Sequence, residues 1–170
     1  MDWGTALRDF RMYLKLERSL SDRTVEAYLG DVGKLQAYAE QHTPPLAPIV
    51  VKLDDLQSFI TTQVKAGLGA RSQARLLSAV RMFYRGLLID KQLVEDPTEL
   101  LESPRIGRKL PVFLNIAEID AMADAVDLSR PMAHRDRAII ETLYGCGLRV
   151  SELCGLRISQ LRFTEGFVRV

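Results

Sequence analysis

Apolar residues recur at spacings of three and four through most of the first hundred positions of this 170-residue chain, which is the period of an amphipathic α-helix. Four such stretches predict helices over about residues 3–18, 22–41, 54–67 and 71–89. Ser21 stands where the second helix needs an N-cap, and three prolines follow that helix. Four amphipathic helices suffice for an independent bundle, so the sequence predicts a mainly α first domain over residues 1–103.

The composition changes between residues 104 and 111, where two prolines, a glycine and three cations occur without a helical period. This segment is predicted to be a linker to a second domain over residues 112–170. Asn115 would cap the first helix of that domain, with a glutamate three residues on, and Gly147 would follow the end of a later one. The apolar period falls to two over residues 161–170, which predicts a β-hairpin. One short helical turn is also expected at Glu99–Glu102, before the linker.

The composition is that of a folded globular chain, with 47% hydrophobic and 26% charged residues. No apolar run approaches the roughly 20 residues of a membrane span, and the first residues lack the pattern of a secretion signal. These features predict a cytoplasmic protein. Two cysteines, Cys146 and Cys154, exclude a disulfide framework and a four-cysteine zinc site, and we expect both thiols to be buried. The tyrosines all fall within helical patterns, where core packing is expected.

Four arginines fall on one face of the fourth predicted helix. At about 100° per residue they share an arc of about 120°, and the apolar residues of the helix lie opposite them. The four are Arg71, Arg75, Arg81 and Arg85. The helix has no acidic residue at i±3 or i±4 that could neutralise them, which favours contacts with phosphate over a merely solvated face.

Charge over the whole chain nearly cancels. The formal net charge is only +1, so the sequence argues against a uniformly cationic polyanion binder and favours a local DNA footprint. The arginines would contribute mostly charge to phosphate contacts, and Gln73 on the same helix is a candidate reader of a base edge. Further candidate DNA contacts lie on the second helix and in the linker: Arg23, Lys34, Arg105, Arg108 and Lys109.

Arg149 follows a glycine turn directly and begins a short predicted helix. The surrounding sequence, YGCGLRVSELCGL, resembles the first catalytic-arginine motif of the tyrosine recombinases, the phage integrase family, and specifically its Xer group. Residues near Leu16–Ser21, along the fourth helix and at Leu110–Pro111 also resemble this group. The resemblance therefore extends over essentially the whole chain.

The resemblance implies a four-helix SAM-like core-binding bundle, a basic linker, and the first helices and β-hairpin of a mixed α/β catalytic domain. It implies cutting and rejoining of DNA through a 3′-phosphotyrosyl intermediate, in chromosome dimer resolution or in DNA integration and excision. No metal and no cofactor are expected. The implied partners are double-stranded DNA and further recombinase subunits, which would form a tetramer on two DNA sites.

Within this resemblance, Arg149 is the catalytic arginine, because a guanidinium suits the charge that develops on a phosphodiester under attack. Glu152, three residues on, would orient it from the same helix face. The family's lysine, histidine, second arginine and nucleophilic tyrosine have no counterpart here, so we expect a truncated catalytic domain and no DNA cleavage by this chain alone. Two alternatives stay open: a non-catalytic DNA-binding accessory protein, and a helical protein-interaction domain.

Overall fold

The chain divides into two compact units, Met1–Arg108 and Lys109–Val170. The computed structural model describes residues 1–107 and 110–170. Arg108 and Lys109, two of the predicted DNA contacts, lie outside the described residues. None of the described helices is both long enough and apolar enough to cross a membrane.

The described part of the first unit contains four α-helices, as the sequence predicts. They are α1 (Trp3–Met12), α2 (Asp22–Glu40), α3 (Leu53–Lys65) and α4 (Ala70–Ile89). A single π-helical turn at Tyr13–Glu17 continues α1. Ser21 caps α2 as expected, because its side chain accepts a hydrogen bond from the Thr24 N–H. A hydrogen-bonded turn at 97–100 replaces the helical turn expected at Glu99–Glu102.

The core of the first unit forms around the apolar face of α4, which packs against α1 and α2. Phe83 lies at its centre, with its ring stacked on Trp3 at a centroid distance of 5.8 Å. The ring of Phe10 meets Phe83 edge-on at 5.4 Å, a favourable geometry for two aromatic quadrupoles. Burial of this face leaves the opposite side of α4, which includes the arginines, toward solvent.

The described part of the second unit contains three α-helices, a 3-10 helical turn at Ile158–Gln160 and a hairpin: α5 (Ile116–Asp124), α6 (Ala133–Cys146), α7 (Val150–Gly155), β1 (Leu161–Arg162) and β2 (Phe167–Val168). The two strands are antiparallel, as the sequence predicts, with Leu161 opposite Val168. Asn115 accepts a hydrogen bond from the Glu118 N–H at 2.9 Å, and the Glu118 carboxylate accepts one from the Asn115 N–H at 2.8 Å. Gly147 follows α6 with a φ of 62°, a conformation that glycine adopts without steric cost.

Burial in the second unit differs from the sequence prediction. Both Cys146 and Cys154 are exposed rather than buried. The Tyr144 side chain is 51% exposed, so core packing was the wrong expectation for this tyrosine. Among the described residues of this unit, only Ala123 and Ala133 are buried. The helical pattern of the sequence is therefore confirmed, but within the described residues of the unit most of the apolar faces are not covered by another element.

The aromatic cluster gives a stability prediction. Phe83→Ala is expected to lower the free energy of unfolding by about 4 kcal/mol, because it removes a buried ring that contacts the rings of Trp3, Phe10 and Tyr84. Ile89→Ala, at the exposed end of the same helix, is the matched control and should change it by less than about 0.5 kcal/mol. Urea denaturation followed by circular dichroism measures both, and equal losses would contradict the placement of Phe83 at the centre of the core.

Candidate nucleic-acid interface

The arginine face of α4 is present in the structure, but its four members differ in their surroundings. Arg71, Arg75 and Arg85 are exposed, and Arg81 is half-buried. The buried residues of the helix lie on the other side, as the periodicity predicts: Leu76, Leu77, Val80, Phe83, Tyr84 and Leu87, with Ala79 and Gly86 at the margin. The face is therefore accessible to a ligand from solvent at three positions.

Arg75 forms an ion pair that the residue spacing within α4 does not predict. Its Nε donates to Asp31 Oδ2 at 2.8 Å and its Nη2 to Asp31 Oδ1 at 3.3 Å. Asp31 lies on α2 and its side chain is only 2% exposed. These hydrogen bonds and the charge of Asp31 raise the pKa of Arg75 above its ordinary value. The prediction of unpaired arginines is thus wrong at Arg75, because an acid from another helix reaches it.

Lys34, a weaker sequence candidate, shares the same carboxylate. Its Nζ lies 2.9 Å from Asp31 Oδ1, and its side chain remains 41% exposed. Two cations from two helices therefore meet at one buried acid. One feature of the sequence could have indicated a role for Asp31. It is an acidic residue at the edge of the apolar stripe of α2, four residues before the buried Leu35.

Arg81 is also engaged within the chain. Its Nη1 donates to Ser103 Oγ at 2.9 Å, and its Nη2 donates to the carbonyl of Leu101. Leu101 itself is buried. These bonds attach α4 to the residues just before the predicted linker. The prediction of an arginine without partners is wrong here as well, since main-chain and hydroxyl acceptors take the place of an acid.

The remaining candidates carry free polar groups. Within residues 1–107 and 110–170, no side-chain hydrogen bond or ion pair involves Arg71, Arg85, Arg23, Gln73 or Arg105. Four of them are exposed and Gln73 is half-buried. Arg71 and Arg85 thus remain the members of the α4 face whose guanidinium groups are wholly available to a ligand.

Arg149 stands at the N-cap of α7 with an extended backbone, φ −75° and ψ 153°. Its main-chain N–H donates to Glu152 Oε2 at 2.7 Å, and its Nη1 donates to Glu152 Oε1 at 2.8 Å. These two hydrogen bonds lower the pKa of Glu152 below its ordinary value, and the one from the main-chain N–H has the larger effect. The arginine side chain is 82% exposed, so Glu152 holds it while leaving donors free.

Neither a metal site nor a reactive role for the buried Tyr84 is found among the described residues. No group of three His, Cys, Asp or Glu side chains among the described residues is placed to hold a metal ion. The hydroxyl of Tyr84 is buried and donates to the carbonyl of Pro48 at 3.2 Å. Burial raises the pKa of this phenol well above its ordinary value, which makes it a poor nucleophile. Its role is to pack the core, as expected.

Two family models match the two parts of the chain. The phage integrase N-terminal SAM-like domain matches residues 7–91. The phage integrase family matches residues 113–170, the part that contains Arg149. The chain belongs to the phage integrase family of tyrosine recombinases.

Relatives within this family are named tyrosine recombinase XerD. The protein of Yersinia pestis is 39% identical over 164 residues, which is 96% of this chain and 54% of the relative. That of Pseudomonas aeruginosa is 39% identical over 157 residues, or 92% of this chain and 52% of the relative. The chain therefore spans about half the length of these recombinases.

Solved structures of two integrases share the fold. The Tn1549 transposon integrase, in complex with circular intermediate DNA, superposes with a TM-score of 0.67 at 17% identity. The match covers 93% of this chain and 51% of that one. The integrase from mycobacterium phage Brujita gives a TM-score of 0.56 at 19% identity, covering 96% of this chain and 52% of that one. The mainly helical fold predicted for this recombinase family is confirmed.

Arg75 is paired with a buried carboxylate and Arg71 is not, so their replacement is expected to change the free energy of unfolding by different amounts. Arg75→Ala is expected to lower the free energy of unfolding by about 2 kcal/mol, because it removes two hydrogen bonds from a buried carboxylate. Arg71→Ala is the matched control and should change it by less than about 0.5 kcal/mol. Urea denaturation of the two variants tests this difference, and a neutral Arg75→Ala would contradict a structural role for the pair.

Proposed function

We propose that this chain is the DNA-binding portion of a site-specific recombinase that cuts and rejoins double-stranded DNA through a 3′-phosphotyrosyl intermediate. The observation that carries the proposal is the exposed cationic face of α4 in a chain of the phage integrase family. The Tn1549 integrase, which shares the fold, is described in complex with DNA. That relationship supports the same class of substrate for this chain.

The first unit would bind DNA mainly through its backbone. Arg71 and Arg85 present unpaired guanidinium groups, whose donors match the geometry of phosphate oxygens. Arg105 would add a contact from the linker, and Arg23 one from the start of α2. Gln73 would read a base edge through its amide, which carries both a donor and an acceptor. Arg108 and Lys109 extend the same charge along the linker sequence.

The second unit would contribute the first catalytic group. Attack on a phosphodiester increases the negative charge on its non-bridging oxygens, and Arg149 offers a planar pair of donors for that charge. The Glu152 carboxylate fixes the direction of this side chain at the start of α7, while solvent exposure leaves it open to a substrate. Energy of the cleaved bond would be kept in the phosphotyrosyl ester, so rejoining would need no cofactor.

The wider setting follows from the same proposal. The recombinase would act with partner subunits, as a tetramer on two DNA sites, in chromosome dimer resolution or in integration and excision. The proposed activity would take place in the cytoplasm. Because the chain spans about half the length of its relatives, we propose that residues 1–170 alone bind DNA without cleaving it.

The DNA-binding proposal predicts a specific change in salt dependence. The double variant Arg71→Ala, Arg85→Ala should bind duplex DNA more weakly, with the slope of log K against log salt flattened by about 1.8, or 0.9 for each lost phosphate contact. Fluorescence anisotropy between about 50 and 200 mM salt measures it. The matched control, Arg8→Ala with Arg11→Ala on α1, removes the same charge and should leave the slope unchanged. Identical slopes for the two double variants would refute the proposed surface.

The catalytic proposal concerns Arg149. In a polypeptide that extends residues 1–170 with the remaining part of the catalytic domain of a family member, Arg149→Lys should reduce formation of the covalent protein–DNA adduct about 100-fold or more. A lysine keeps the charge but loses the planar fork. A nicked substrate that traps the adduct provides the assay. Arg157→Lys is the matched control, because Arg157 also caps a short helical turn, and adduct formation should be unchanged. Equal rates for the two variants would remove Arg149 from the reaction.

A further inference from the structure

A single buried carboxylate joins two cations from different helices. Asp31 is 2% exposed, and both of its oxygens are used: Oδ2 accepts from Arg75, and Oδ1 accepts from Arg75 and Lys34. The neighbouring Val32 is fully buried, so α2 holds the carboxylate rigidly against the core. A carboxylate fixed in this way determines where both cationic groups stand.

Both cations keep donors that the carboxylate does not use. A guanidinium has five N–H groups and an ammonium has three. Arg75 directs two to Asp31 and Lys34 directs one, and the two residues have no other side-chain partner within the part of the chain that the structure describes. The side chains are 49% and 41% exposed. Three donors of one residue and two of the other therefore remain for a ligand in solvent.

We infer that Asp31 is a positioning residue that holds Lys34 and Arg75 together as one phosphate-binding pair spanning α2 and α4. The pair deepens the proposed DNA-binding function and rests on it. The ligand class is the phosphate of a nucleic-acid backbone, for which two adjacent cations supply converging donors. Asp31 touches no phosphate itself and acts only through the two cations.

Charge alone makes the opposite prediction. The three groups sum to +1, and the carboxylate weakens their attraction for phosphate. If the cations acted only as charge, removal of Asp31 would strengthen DNA binding. If Asp31 positions them, its removal weakens binding despite the added positive charge, because two long side chains then lose their fixed directions. The sign of the effect therefore separates positioning from charge.

The deciding variant is Asp31→Asn in the 170-residue chain. An amide keeps one acceptor oxygen but turns an N–H₂ toward one of the cations, so the shared arrangement is lost. We expect binding to duplex DNA to weaken about tenfold, equivalent to one charge-assisted contact. The salt slope should flatten by about 0.9 or more.

The matched control is Glu26→Gln, which removes one negative charge from an exposed position of the same helix. Glu26 has no side-chain partner among residues 1–107 and 110–170, so only charge changes there. Its binding should stay equal or become slightly tighter. Asp31→Asn that binds as tightly as Glu26→Gln overturns the inference. If the unchanged chain shows no salt-dependent binding to duplex DNA, the proposed function itself fails, which is a different result.

A second variant covers the case in which Asp31→Asn does not fold, as judged by circular dichroism. Lys34→Gln leaves the Arg75 pair with Asp31 intact. If Lys34 contacts phosphate from this arrangement, its loss flattens the salt slope by about 0.9. If Lys34 only neutralises Asp31, the slope matches that of Lys65→Gln, an exposed lysine on α3, and the inference is overturned.

Discussion

The buried face of α4 is the constraint on which the first unit and its proposed surface depend. An α-helix is rigid, so burial of one arc fixes the direction of every other side chain along it. Phe83 and Tyr84 both lie on the buried arc, in contact with each other at a centroid distance of 5.2 Å. The opposite arc, which carries the arginines, is consequently left on the outer side of the helix. Packing in the core thus sets the geometry of the charged surface.

The sequence predicts that the arginines of α4 lie opposite its apolar residues. It does not predict which groups of other segments these arginines bind. The period of 3.6 residues relates the arginines and the apolar residues of α4 to each other within one helix. The pair of Arg75 with Asp31 joins residues 44 positions apart and depends on how α2 is rotated against α4. The spacing of residues within one helix does not predict how that helix is rotated against another. For the same reason the spacing within α4 predicts no partner for Arg81, although Leu101 and Ser103, 20 and 22 residues further on, accept its hydrogen bonds.

In the second unit, the features that the sequence predicts correctly are contacts between residues close together in the chain. The capping box of α5 and the hydrogen bonds between Arg149 and Glu152 join residues three positions apart, so a sequence pattern can reveal them. Burial is different, because it depends on which distant segments cover a face. Cys146 and Tyr144 lie in a correctly predicted helix, and the expectation of burial failed for both.

The two units hold an arginine in the same chemical way but with different consequences. In each, a carboxylate accepts two hydrogen bonds from an arginine residue and leaves further guanidinium donors exposed. Both bonds to Asp31 come from the Arg75 guanidinium, whereas Glu152 accepts one from the guanidinium and one from the main-chain N–H of Arg149. Asp31 is buried, so its ion pair also supports the packing of two helices. Glu152 is local, and its lowered pKa means that it stays ionised to lower pH than an ordinary glutamate. Its contribution to the cap is present above the pKa of the unfolded carboxyl and is lost as the pH falls through the lowered folded value. At neutral pH Arg149 is therefore held by an ionised partner, and in the proposed reaction its orientation precedes the arrival of the phosphate.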